Sequence, residues 1–343
     1  MIYKFNFSRT IINWFHKHGR KNLPWQIKKN IFKTWISEIM LQQTQVKTVI
    51  PYFKKFIKKF PNIKKLSNSS LDEILFLWSG LGFYNRAKNI YKTSQIIKKK
   101  YNNIIPDNFY HLLKFPGIGK STAGAILSLT FNYFFPILDG NVKRILKRFY
   151  NIKKKYQLEQ KLWKKINFLT PIHNSQKFNQ SMMDLGKIVC KIHQPICKIC
   201  PLKKKCLTYI KKIDIKKNKK SKIKKIKKCW FIILKYKNLF YLKKQKYTIW
   251  NNLYYFPMFY KKKKMLKWIK KKKINFKNKK KLKKFLHHFS HYSLLIKVII
   301  IKIKKIKKIK NNKIWFNFNN PKKIGIPIIV KKIFFKIYKK NKI

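Results

Sequence analysis

Negative charge is nearly missing from this chain. Its 343 residues include 8 Asp and Glu against 87 Lys and Arg, a formal net charge of +79. Carboxylate chemistry is therefore confined to Glu38, Asp72, Glu73, Asp107, Asp139, Glu159, Asp184 and Asp214. None follows Asp214, which excludes from the rest of the chain any reaction that needs several carboxylates around Mg²⁺. Arginine is scarce too, at positions 9, 20, 86, 144 and 148 only. The excess is thus lysine, and Lys, Asn, Ile, Phe and Tyr all have AT-rich codons. Mutational bias in a reduced bacterial genome accounts for the excess as well as selection for a polyanion does. The charge still makes nucleic acid the first partner to consider. No apolar run approaches the ~20 residues of a membrane helix. The basic, apolar and cleavage-site order of a signal peptide is also missing. A cytoplasmic protein that leaves the membrane alone is the expectation.

What is present describes a folded chain. Hydrophobic residues make up 45% and aromatics 16%, far from a disordered polycation. Apolar residues recur at helical spacing in 34–60, 71–79, 86–99, 121–131 and 141–150, so 1–206 reads as mainly helical. Residues 207–228 are a Lys-rich tract that reads as a linker. From 229 the pattern turns to strands: a hairpin about Lys237-Asn238, further strands in 253–259, 293–303 and 313–318, and a closing helix over 327–339. The expected class is a mainly α region (1–206) followed by an α+β domain (229–343).

Four of the five cysteines, Cys190, Cys197, Cys200 and Cys206, lie within 17 residues. In a cytosolic chain such clustering points to metal rather than disulfides, and the donors suit either zinc or a [4Fe–4S] cluster. Cys229 stands apart and reads as a buried apolar residue.

Leu112 to Leu127 places two helices around Pro116-Gly117-Ile118-Gly119. The glycines Gly117 and Gly119 permit a tight turn and leave backbone N–H groups uncovered ahead of a helix starting at Lys120-Ser121. This is a local anion site suited to one phosphate. Asp139 sits just before an amphipathic helix. On its own it is an ordinary N-cap, but a carboxylate fixed there could also stabilise a sugar cation. Glu38 has apolar or uncharged neighbours on its helix. Alone it would read as a solvated surface charge. If it is desolvated, its pKa rises and it becomes a general acid near neutral pH.

The stretches Leu23-Pro24-Trp25-Gln26, Ser37 to Val46, Trp78 to Ala87, Asp139 to Arg144 and Phe178 to Gly186 together resemble the A/G-specific adenine glycosylase (MutY) family. That family belongs to the endonuclease III, helix-hairpin-helix superfamily. The likeness is near continuous over 8–206 and looser afterwards. It implies a helix-hairpin-helix glycosylase fold with an iron–sulfur loop at 190–206, plus a C-terminal MutT-like, Nudix-fold domain. It implies a [4Fe–4S] cluster on Cys190, Cys197, Cys200 and Cys206. It implies Glu38 as proton donor to adenine N7 and Asp139 as stabiliser of the cation, with Ser121 and Asn141 beside them. DNA contacts are implied for Gln43, Thr44, Leu81 and Phe83 at the wedge, for Gly117, Gly119 and Lys120 in the hairpin, and for Ser290 and His291 opposite 8-oxoguanine. The partner is double-stranded DNA with 8-oxoguanine·A or G·A mispairs, the target adenine must leave the stack, and the protein acts as a monomer at the nucleoid.

Three departures qualify the match. Phe83 stands where the family usually has Tyr. Ser121 stands where the endonuclease III branch has an amine nucleophile, so Schiff-base strand cleavage is not expected. Asn251 and Asn252 replace glycines near Trp250, and Asn tolerates left-handed backbone better than most residues. Two other readings compete: an endonuclease III-like glycosylase with lyase activity, and a catalytically decayed protein that merely binds DNA.

Overall fold

The computed structural model describes residues 5–153, 156–213, 225–245, 249–274, 279–289, 292–306, 309 and 312–339. They fall into two compact units, Met1–Asn68 with Lys88–Lys220, and Ser69–Ala87 with Ser221–Ile343.

The first unit is helical. It contains α1 (Phe7–His18), α2 (Ile31–Leu41), α3 (Val46–Lys59) and α4 (Ile63–Ser67). The next helices in the chain are α5 (Leu71–Trp78), which belongs to the second unit, and α6 (Asn85–Lys100). Then follow α7 (Phe109–Leu113), α8 (Lys120–Phe131), α9 (Gly140–Phe149), α10 (Leu158–Leu169), α11 (Ser175–Ile188) and the short α12 (Leu207–Ile210). Asparagine does much of the capping: Asn6, Asn30, Asn62 and Asn108 each accept a first-turn backbone N–H at the starts of α1, α2, α4 and α7. A core of Ile11, Trp14, Val142, Leu146, Leu162, Ile166, Phe178 and Met182 joins α1, α9, α10 and α11. Fully burying one such side chain stabilises the fold by ~1.5–3 kcal/mol.

The helical stretch expected over 34–60 is two helices. The chain breaks at 42–45, where Gln43 adopts φ 56°, a left-handed conformation that an α-helix cannot continue through.

The second unit is built on a mixed sheet. Its strands are β1 (Lys225–Tyr236), β2 (Leu239–Lys244), β3 (Tyr254–Tyr255), β4 (Met258–Phe259), β5 (Lys279–Lys281), β6 (Phe285–His288), β7 (Tyr292–Lys302) and β8 (Lys313–Asn317). The main path runs β3-β2-β1-β7-β5, with β4 on β1, β6 on β7 and β8 on β2. Strands β1 and β7 run parallel along Lys225–Lys235 and Tyr292–Lys302. Such central strands are covered on both faces. Helix α13 (Lys262–Lys271) presses Met265 and Ile269 onto Ile232, Leu234 and Ile301. Helix α14 (Ile328–Lys339) sets Phe334 against Phe240 and Phe256, ring centroids 4.9 and 5.4 Å away. The hairpin at Lys237-Asn238 and the closing helix are where the sequence places them.

Residues 69–87, which include the helix expected over 71–79 and the loop after it, group with this sheet unit. No described helix is long and apolar enough to cross a membrane.

Candidate active site

Helix α2, the start of α8 and the start of α9 converge on a cavity of ≈1050 Å³. Glu38, Ser121, Asp139 and Asn141 all line it, as do Gln43 and Thr44 from the α2–α3 loop. Glu38 lies deep in the protein yet keeps a water-reachable edge through the cavity. Burial, and then the negative charge of Asp139, push its carboxyl up to about 7. A group with that pKa is partly protonated at neutral pH and can donate.

Asp139 is fixed from three directions. Its Oδ1 accepts from the N–H of Asn141 (2.9 Å) and of Val142 (2.8 Å), and its Oδ2 accepts from Asn141 Nδ2 (2.9 Å). It therefore caps α9 and offers a carboxylate to the cavity at once. The chain before it is held as well. Ser121 Oγ accepts from the Leu138 N–H at 3.2 Å, and the buried Asn179 accepts from the Ile137 N–H at 3.1 Å while donating to Phe135 O at 2.8 Å. At the wall, Arg20 Nε and backbone N–H donate to the fully buried Asp184 at 3.1 and 2.7 Å. Removing Arg20 would leave the buried Asp184 carboxylate without its charged partner, a destabilising state.

The hairpin has the expected form. Gly117 adopts φ 84°, and a Cβ there would lie 2.7 Å from Asn89 Nδ2. Helix α8 starts at Lys120 with Gly119 as N-cap and no side chain capping it, so its first amides face outward for an anion. Lys120 Nζ lies over the Trp163 ring at 4.5 Å.

The four clustered cysteines line a common recess with Arg148, Leu202 and Tyr209. Among the described residues no three His, Cys, Asp or Glu are drawn together tightly enough for a single ion. As bare thiols the cysteines resist ionisation: burial pushes Cys200 up to about 12, and burial with the charges of Cys190 and Cys206 raises Cys197. A cationic centre reverses that balance, so the donor set suits a thiolate-bound metal centre.

Two arginines join this recess to the cavity. Arg144 Nη2 donates to Asn141 Oδ1 (2.9 Å) and Gly186 O, while its Nε donates to Cys190 O (2.7 Å). Arg148 donates to Cys190 Sγ (3.3 Å), Lys191 O and Ile192 O. Sequence reasoning assigned neither residue a role. The available signal was the scarcity of arginine itself, since two of the five sit on one helix.

Leu81 and Phe83 belong to the second unit. Leu81 is buried, and Phe83 is 50% exposed with φ 47°. Ser290 and His291 lie outside the described residues. Among the described residues, Trp250 packs on His287 and Phe289, and His288 Nδ1 pairs with Ser293 Oγ at 2.8 Å. Asn252 adopts φ 65°, so the asparagine does take the left-handed backbone where the family has glycine.

Comparison with known proteins gives consistent matches. A family model described as HhH-GPD superfamily base excision DNA repair protein covers residues 36–168, and a NUDIX domain model covers 229–336. The chain is 54% identical to the adenine DNA glycosylase of Buchnera aphidicola subsp. Acyrthosiphon pisum (strain APS), over 98% of this chain and 99% of that protein. It is 34% identical to the adenine DNA glycosylase of Rattus norvegicus, over 58% of this chain and 41% of that protein. Among solved structures it resembles a thermostable thymine-DNA glycosylase at a TM-score of 0.55 and 26% identity, covering 60% of this chain and 95% of that one.

Proposed function

The chain belongs to the adenine DNA glycosylase family, enzymes of base excision repair, and from that premise we propose that it hydrolyses the N-glycosidic bond of adenine mispaired with 8-oxoguanine or guanine. The observation that carries the mechanism is the pairing of a carboxyl raised to about 7 at Glu38 with a rigidly held carboxylate at Asp139 in one cavity. The flipped adenine occupies that cavity. Glu38 gives its proton to N7, the neutral base departs with the bonding electrons, and the sugar is left as an oxocarbenium ion. Asp139 stabilises that cation, and water adds to C1′. Asn141 and Ser121 hold Asp139 and the backbone before it. Gly117, Gly119 and Lys120 receive a phosphate, Gln43, Thr44 and Phe83 work at the opened pair, and Ser290 and His291 read 8-oxoguanine; Leu81, buried rather than exposed, supports the loop that carries Phe83.

Cys190, Cys197, Cys200 and Cys206 hold a [4Fe–4S] cluster. When bound, it cross-links the 190–206 loop and supplies no step of base release. On the same reading, 1–206 is the catalytic region, 207–228 the connection, its ends taken up by α12 and the start of β1, and 229–343 the lesion-reading domain of a cytoplasmic monomer.

With Ser121 in place of an amine, the enzyme is monofunctional. Single-turnover reaction on an 8-oxoguanine·A duplex, with and without hot alkali, tests this. Strand breaks that need alkali support the reading. Breaks without alkali favour the endonuclease III-like alternative, and no release from cluster-loaded protein favours a decayed one.

A further inference from the structure

The eight carboxylates point to a connection outside the cavity. The segment from 225 onward contains no Asp or Glu, yet its unit includes two, Asp72 and Glu73, both from the first turn of α5. Glu73 closes a capping box with Ser70. Asp72 instead takes both oxygens to Lys244 Nζ of β2, at 2.8 and 3.0 Å, and Lys244 also lies 5.3 Å from the Tyr254 ring centroid. The two side chains are 31% and 19% exposed, so the pair is partly shielded from water.

The other end of α5 is tied to the same unit. Leu75 meets the backbone at Gly325 so closely that a Cβ there would stand 2.6 Å from Leu75 Cβ. Gly325 O in turn accepts from the Tyr254 N–H at 2.9 Å. Ser79 Oγ accepts from the Ile326 N–H, and Ser79 O accepts from Lys331 Nζ of α14, both at 3.3 Å.

The loop that follows is braced internally. Trp78 Nε1 donates to Gly82 O at 2.9 Å, the Leu81 N–H donates to Trp78 O at 3.0 Å, and the Gly80 N–H donates to Tyr84 Oη at 3.2 Å. The Arg86 guanidinium sits 5.4 Å from the Trp78 ring and 5.2 Å from the Phe83 ring, backing the exposed phenyl. A loop this stiff is placed by whatever places α5.

We infer that the C-terminal sheet unit aims the loop 79–84, with Lys244 and Lys331 as positioning residues for parting the mispair. The inference rests on the reading of Phe83 as a wedge. It gives the C-terminal unit a task independent of recognising 8-oxoguanine.

The test uses full-length, cluster-loaded protein and two duplexes, adenine opposite guanine and adenine opposite a stable abasic-site analogue. The second has no opposing base to displace, and neither contains 8-oxoguanine. The readout is the ratio of single-turnover adenine release on the two at subsaturating enzyme, which a loss of folded fraction does not change. Asp72→Lys and Lys244→Asp should each lower the ratio about tenfold, and the double exchange should restore it. Lys331→Met should lower it less, and it serves as the second probe where a charge reversal fails to fold. Phe83→Ala is the reference. If it leaves the ratio unchanged, the wedge reading fails and takes the inference with it. If Phe83→Ala lowers the ratio while the Asp72, Lys244 and Lys331 variants do not, the wedge stands and the inference is overturned.

Discussion

The two units bury different things. In the helical unit the interior holds Thr34, Ser37, Ser128, Ser175, Asn179, Ser181 and Asp184 among its apolar side chains. Among the described residues of the sheet unit, only Ser79, Arg86 and Ser293 are buried Ser, Thr, Asn, Gln or charged residues, and the first two belong to the segment 69–87. Sheet pairing satisfies the backbone there, and α13 and α14 supply hydrocarbon on both faces. The helical unit must instead hold two carboxyl groups in unlike environments and fix irregular chain at 135–139, and both tasks require polar partners. The lesson is that buried polarity marks the chemistry. A lysine-rich surface, common to both units, does not.

Changes at the carboxyl groups of the cavity should therefore cost far more than a change in the loop at Asn252. Glu38→Gln is expected to lower single-turnover adenine release by about 10²–10⁴-fold with duplex binding retained. It should also change stability in a pH-dependent way. The folded-state pKa of Glu38 is raised to about 7, so its ionised form weakens the fold above that pH and has no effect below the ordinary carboxylate range. Glu38→Gln should be more stable than wild type by about 1–2 kcal/mol at pH 8, allowing for screening by water in the cavity, and no more stable at pH 4. Thermal melts at both pH values check this.

The next effect is at Arg144. Arg144→Met removes the donors to Asn141 Oδ1 and Cys190 O. Adenine release should fall about tenfold, with a looser cysteine loop detected as faster cluster loss to a chelator. An unchanged rate would detach the loop from the cavity. The smallest effect should be in the sheet unit. Asn252 already has the backbone a glycine would adopt, so Asn252→Gly should shift stability by no more than ~0.5 kcal/mol in denaturant melts.

Much of this was legible in the residues. The uncharged neighbours of Glu38 made its desolvation one of two readings, and the Gly-x-Gly turn and the helix after Asp139 announced their geometry. The fold class followed from helical spacing before 206 and strand-like runs after 229. Other features depend on contacts distant in the chain. Arg144 and Arg148 act on carbonyls at 186–192, which helical periodicity cannot foresee. Residues 71–79 have a helical pattern, but a pattern says nothing about which core the helix joins. The break at Gln43 was hidden because glutamine carries no turn signature. Glycine scarcity also obscures turns: of the 14 described non-glycine residues with positive φ, seven are asparagine, including Asn132 ending α8 and Asn174 starting α11.

The most direct test is the pH dependence of single-turnover adenine release from an 8-oxoguanine·A duplex, wild type beside Glu38→Gln. With Glu38 as the acid, the wild-type rate should fall roughly tenfold per pH unit above about 7, and the variant should be slow without that descent. A wild-type rate that stays level to about pH 9, or a variant that matches it, would remove Glu38 from the reaction.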